Sequence, residues 1–401
     1  MALGAIVIAV AFLVAAAVAL FLPEGERRGV WLPLHLAMGA ATTAIAGVMP
    51  FFAAAFAAAP PADARLRSSA VGAVAIGSAA VAVGVVGTAT TLAAGGGVLF
   101  VAGIVLTGGA TVRPLGRALG PSRGLITQGY LVALGEVAVG ASLATLFVAG
   151  WPPVVSDWFR LKPAHAWLNL VGFVSLVIAT TLLHFFPTVV GARITVRPSA
   201  RATVLGLAFG APLVALGFAL ASDLVARVGA VAVIGGAAGL AVYVVRTWRS
   251  RAGWTTDPGW HRFAMGGLIS AIFWLEVGIL IAAGRVLAFG ADPAGWWVDV
   301  ATGPLIVGWV GLAIVGSATH LLPAIGPGGP AAHARQRQLL GRAATTRLVV
   351  LNSGVAALAI GLPLRLDTLV AVGAALDALG LGATAILLGG AVRLGIRRPP
   401  D

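Results

Sequence analysis

The chain has no cysteine, only two tyrosines, and charge on just 10% of its residues. Without thiols it has no disulfide framework, no cysteine-ligated iron–sulfur cluster and no c-type heme attachment. A soluble domain carries about 25% charged residues. Here the hydrophobic share is 59% and the mean hydropathy is +1.01, which belongs to a chain whose solvent is lipid. At about 20 apolar residues per crossing, 401 residues hold about a dozen helices and leave no room for a separate soluble domain. The expectation is an all-α polytopic membrane protein, one integral membrane domain over 1–401, whose chemistry rests on few polar groups.

Apolar runs between charged or Pro/Gly punctuation place twelve spans at 2–22, 31–57, 70–94, 96–112, 125–150, 164–189, 202–222, 226–245, 263–288, 298–323, 346–363 and 368–392. Only Gly95–Gly97 separates the third from the fourth. Met1 opens into apolar sequence without a basic leader region, so the first run reads as an uncleaved helix. With the N-terminus inside, 19 of the 26 basic residues fall in cytoplasmic segments, among them Arg65, Arg67, Arg193, Arg197, Arg246 and Arg347. Seven fall outside: Arg27, Arg28, Arg160, Lys162, Arg227, Arg285 and Arg365. That asymmetry predicts both termini in the cytoplasm. It also explains the net charge of +13 as a topology determinant in contact with anionic lipid, with no nucleic-acid partner.

Twelve spans divide into three sets of four, at about 1–124, 125–250 and 251–401. Spans two, six and ten run in the same direction. Spans six and ten end alike, His184-Phe-Phe-Pro187 and His320-Leu-Leu-Pro323, with the histidines 136 residues apart. Span two ends with Met49-Pro50 and no histidine, and the starts of spans two and six share Pro33-Leu-His35 and Pro163-Ala-His165. The expected architecture is a pseudo-threefold arrangement of four-helix arcs with these spans inside, and repeat interfaces are where membrane proteins place their sites.

Four of the six histidines lie within spans. His165 and His184 are separated by about 28 Å of helix at 1.5 Å per residue, too far to share one atom. Two layers follow: His35 with His165 near the outer surface, and His184 with His320 near the inner one, where His261 could join as a third metal ligand. Two facing imidazoles suit a bis-histidine heme and three suit copper. The alternative is histidines that hydrogen-bond backbone or water at the interface, the natural reading for loop residue His333. A proline three residues after His184 and His320 would loosen each last turn. Asn169, one turn from His165, is placed to orient that ring.

Glu136, Glu276 and Asp377 fall within spans five, nine and twelve, where an unpaired charge costs several kcal/mol. They are either protonated acids hydrogen-bonding across helices or members of a proton relay. Trp151, Trp158, Trp248, Trp254, Trp260, Trp296 and Trp297 read as interfacial belts.

The stretch from Pro163 through Asn169, followed by His184-Phe-Phe-Pro187, resembles the histidine-bearing central helices of heme–copper-oxidase-like membrane proteins. Trp31-Leu-Pro-Leu-His35, Trp260-His-Arg-Phe and Thr319-His320-Leu-Leu-Pro323 resemble the membrane region that precedes copper nitrite reductase domains in some bacterial proteins. The resemblance spans essentially the whole chain and implies the twelve-helix subunit I fold. His35 then falls where that family has a low-spin heme ligand, and His165 where it has a copper ligand. Missing are the His-His pair after span six, the His-x-His of span ten and a tyrosine on span six. The resemblance therefore implies no complete terminal oxidase. It points to a redox protein binding heme b and/or copper, an electron-transfer or nitric-oxide-handling partner of a copper nitrite reductase or other redox protein. A small-molecule or metal-ion transporter and a cofactor-free scaffold are the competing readings.

Overall fold

The computed structural model of the chain describes residues 2–19, 22–27, 30–117, 124–195, 197–250, 259–294 and 302–396. Among them every regular element is helical. Twelve long helices follow in order: α1 Ala2–Ala19, α2 Trp31–Phe56, α3 Ala64–Val86, α4 Thr90–Val112, α5 Leu125–Val148, α6 Trp158–Val190, α7 Pro198–Ala219, α8 Asp223–Arg249, α9 Gly259–Phe289, α10 Thr302–Ile325, α11 Ala344–Leu364 and α12 Asp367–Ile396. Eleven are long and apolar enough to cross a membrane, and α1 is a shorter apolar helix. The chain is a polytopic membrane protein of about twelve helices. Arg28, Arg123, Arg251, Arg397, Arg398, Trp254, Trp296, Trp297 and the first residues expected of span ten lie outside the described residues.

Most of the helices begin before their apolar runs because polar ends wind into them. Helix α3 begins six residues before the expected span, where the Asp63 carboxylate accepts from the backbone N–H groups of Arg65 and Leu66 at 2.8 and 3.3 Å. Arg347, counted above among the loop charges, lies in α11 and is only 5% exposed.

The break between the third and fourth spans is misplaced in the sequence reading. The turn falls at Gly87–Ala89, with Thr88 at φ 57°, and Gly95–Gly97 are helical. The glycines mark close helix contact rather than a loop. A Cβ on Gly84 would come within 2.5 Å of the Ala93 nitrogen, and one on Gly96 within 2.8 Å of the Val81 nitrogen.

The chain forms two compact units. Unit 1 comprises Met1–Thr181, Leu207–Ala232 and Phe289–Pro293; unit 2 comprises Leu182–Gly206, Val233–Ala288 and Ala294–Asp401. In unit 1, α1 packs on α2, α3 forms a hairpin with α4, and α5 bridges α4 and α6. Its largest buried side chains include Tyr130, Trp167, Phe173 and Phe218. In unit 2, α11 pairs with α12 and with the first part of α10, around buried Phe186, Tyr243, Phe263 and Trp309.

Helices α6 and α10 share a feature that the sequence alone did not reveal. Each contains a wide, π-helical stretch, Leu168–Ser175 in α6 and Thr302–Gly311 in α10. Such stretches are rare and gather at functional sites. Gly172 and Gly308 stand 136 residues apart within them, the spacing of His184 from His320 and of Pro187 from Pro323. The His-x-x-Pro ends and the π-helical stretches of the two helices thus share one spacing.

Candidate functional site

The histidines of the first expected layer all belong to unit 1. His35 is half-buried on α2, with Trp31 one turn earlier stacked on it at 4.9 Å between ring centroids and 12° between planes. Its Nε2 lies 3.3 Å from the Ser78 carbonyl oxygen of α3, so this nitrogen donates and Nδ1 keeps the lone pair. His165 is half-buried two turns into α6. Its Nδ1 lies 2.7 Å from the Gly140 carbonyl oxygen of α5, which makes Nδ1–H the donor and leaves the lone pair on Nε2. The Asn169 amide nitrogen lies 3.0 and 3.3 Å from the two ring nitrogens and donates to the His165 carbonyl at 2.8 Å. Trp158 covers the ring at 5.9 Å and is itself stacked on Phe147. His35 and His165 are close enough for the charge of one to act on the other.

Gly140 permits this approach. A Cβ there would fall 2.8 Å from Asn169 Oδ1 and 2.9 Å from its Nδ2. One turn earlier on α5, the Glu136 carboxyl rests on Gly172 in the π-helical stretch of α6, in a place a Cβ on Gly172 would fill.

The second layer lies in unit 2. The rings of His261 and His320 approach to 6.0 Å between centroids. His261 is 3% exposed and its Nε2 donates to the Val189 carbonyl at 2.7 Å. His320 Nδ1 is buried without a hydrogen-bond partner. Trp260 lies 5.8 Å from His320, and the Arg337 guanidinium lies 5.4 Å above the Trp260 ring. Phe185, next to His184 on α6, turns edge-on to His320 at 5.6 Å. His184 itself is half-buried, and its carbonyl accepts from the Thr188 hydroxyl at 3.1 Å. The structure therefore brings His261 together with His320, while His35 and His165 share unit 1 within electrostatic reach of each other. His333 stands apart on the short helix Pro330–Leu340, with Nε2 3.3 Å from the Gly326 carbonyl.

The sequence reading missed how the two tyrosines serve α6. Tyr130 on α5 donates to the Thr181 hydroxyl at 2.8 Å, since Thr181 already gives its proton to the Val177 carbonyl. Tyr243 on α8 donates to the Leu183 carbonyl, the group that Pro187 leaves without its helical donor. Trp158 and Trp260, expected only as interfacial anchors, border the histidine rings.

The donor chemistry fits a metal-bound imidazole in two places. A ligating histidine ordinarily donates its other N–H to a carbonyl or carboxylate, which is what His165 does. The orphaned Nδ1 of His320 is the other candidate nitrogen. Among the described residues no three His, Cys, Asp or Glu side chains gather into a metal cluster.

No protein-family model matches the chain. No curated protein matches it either. A solved structure does: a heme-copper terminal oxidase, determined as a dimer by cryo-EM, is 14% identical over 100% of this chain and 84% of that one, with a TM-score of 0.69. The chain has a heme–copper-oxidase-like fold. At 14% identity the likeness concerns the fold, and the chemistry has to be argued from the residues of this oxidase-like chain.

Proposed function

We propose that this chain is a membrane redox protein of oxidase-like fold that binds heme b and/or copper through histidines. The observation that carries the reading is His165: its Nδ1–H is fixed on the Gly140 carbonyl, which puts the lone pair on Nε2, where a metal would bind in place of the Asn169 amide nitrogen 3.3 Å away. His35, within electrostatic reach, would be the second ligand of that layer. His320 with His261, and His184 on the adjoining stretch of α6, would form the other.

When bound, heme b or copper supplies one-electron exchange at its metal. The residues hold the imidazoles in place and keep lipid and water away from them, with Trp31 and Trp158 covering the rings of unit 1. The His-His pair after span six and the His-x-His of span ten that an oxygen-reducing centre would need are lacking in the sequence, which favours electron transfer or nitric oxide handling beside a copper nitrite reductase or other redox protein. In this reading the chain sits in a bacterial plasma membrane with both termini cytoplasmic, its lipid contacts set by the basic inner loops, and its thirds at about 1–124, 125–250 and 251–401 descend from one four-helix repeat.

The test is an absorption spectrum and metal analysis of the purified protein, with His35→Ala, His165→Ala, His184→Ala and His320→Ala compared. A Soret band lost in one layer's variants assigns heme to that layer. Bound copper without a Soret band assigns copper. Full retention of the wild-type spectrum and metal content in all four folded variants would overturn the reading and favour transport or scaffolding.

A further inference from the structure

Glu136 is the least explained polar group of unit 1. It is 7% exposed, and both carboxyl oxygens are buried without a hydrogen-bond partner. Burying a carboxyl in this way is costly whether it is charged or neutral. The cost is not an accident of crowding, because the seat is shaped for the group: Gly172 lacks the Cβ that would collide with Oε2, and the surrounding stretch of α6 is π-helical.

The repeat supplies an internal control. In unit 2, Gly308 stands at the equivalent place in the π-helical stretch of α10, and a Cβ there would meet the Trp274 side chain of α9 at 2.6 Å. The same seat thus holds an indole in one copy and a carboxyl in the other. The indole brings an N–H that is satisfied, donating to Asn352 Oδ1 at 2.9 Å. Packing alone is met by a large side chain with its polar atom paired. The acid of unit 1 meets it worse, with both oxygens unpaired, which points to a role for a protonatable group.

We propose that Glu136 is a proton-carrying site buried in the membrane span of unit 1. It holds a proton at rest and exchanges it with water. On release the O–H bond breaks, the electron pair stays on the carboxylate, and a water molecule takes the proton; the reverse step restores the acid. The surroundings leave the group to titrate as one site. Helix α4 carries no titratable residue, and neither does the 207–219 part of α7. Helix α6 presents His165 one turn away along the α5–α6 contact, and α5 itself has only Tyr130, whose hydroxyl is committed to Thr181. The proposal does not need a bound heme or copper, so it stands or falls apart from the redox reading.

Infrared spectra of the whole protein in detergent or lipid test it. The carboxylic C=O band assigned by subtracting Glu136→Gln from wild type is expected to shift down in heavy water and to give way to carboxylate absorption as pH rises. Glu136→Asp is expected to keep a titrating band. Gly172→Ala, which crowds the carboxyl, is expected to move the band and assigns it independently should Glu136→Gln not fold. A band that neither shifts in heavy water nor titrates while the protein stays folded would make Glu136 a structural acid and overturn the proposal. So would the absence of any carboxylic band attributable to it.

Discussion

His165 Nδ1 lies 2.7 Å from the carbonyl oxygen of Gly140, an approach open only because Gly140 has no side chain to push Asn169 aside. Gly140→Ala keeps the carbonyl and places a Cβ against the amide; Asn169→Ala removes the amide. Both are expected to weaken hemin or copper binding about 10–100-fold, the usual effect of disturbing a ligand's supporting group. Asn352→Ala in unit 2, where the side chain accepts from Trp274, is expected to leave binding at the His35–His165 layer unchanged. Titration of the purified variants checks this, and equal affinity in all three would deny Asn169 its positioning role.

The α3–α4 hairpin makes opposite predictions for two glycines. A Cβ at Gly84 meets the backbone of Ala93, which cannot yield locally, so Gly84→Ala is expected to cost about 1–3 kcal/mol. Gly95 has nothing within 4 Å of its ideal Cβ and lies inside α4, so Gly95→Ala is expected to stabilise by about 0.5–1 kcal/mol. Unfolding of both variants in mixed micelles distinguishes them. The reverse order would restore the turn to Gly95–Gly97.

These glycines show what could be read from sequence and what could not. Hydropathy located all twelve helices, because a lipid-facing helix must be apolar over its length whatever its neighbours. It could not tell a glycine that ends a helix from one that lets another helix approach, since the difference lies in the partner. The same holds at the site. His35, His165 and Asn169 were legible because histidine and asparagine are rare in spans and sat at matched depths. That His320 meets His261 follows from how α9 and α10 pack, which spacing along one chain does not encode. The π-helical stretches left no compositional signal; only the 136-residue spacing of Gly172 and Gly308 echoes them, and two glycines among 55 do not stand out.

Loop charge predicts membrane orientation, and the structure supplies exposed positions to test it. Thr195 lies between α6 and α7, and Ser156 in the short helix before α6; both are exposed. In this cysteine-free chain, Thr195→Cys is expected to react with a membrane-impermeant maleimide only after the cells are opened. Ser156→Cys is expected to react in intact cells. The opposite pattern would invert the topology and place the His35–His165 layer at the cytoplasmic face.

The bond from Tyr243 to the Leu183 carbonyl predicts a compensating pair in unit 2. A helical N–H four residues on would ordinarily satisfy that carbonyl, but residue 187 is proline and has none. Tyr243→Phe therefore leaves a buried acceptor unmet, at an expected cost of about 1–3 kcal/mol. Pro187→Ala restores the N–H and allows the turn after His184 to close as an ordinary α-helix. In that background Tyr243→Phe is expected to cost only a few tenths of a kcal/mol, because the carbonyl then has a donor of its own. A double-mutant cycle on unfolding free energies measures the coupling. If Tyr243→Phe costs the same with and without Pro187, the tyrosine is there for packing alone. If the coupling appears and the spectrum of any cofactor bound near His184 also shifts in Pro187→Ala, the proline serves to set the angle of that histidine's turn.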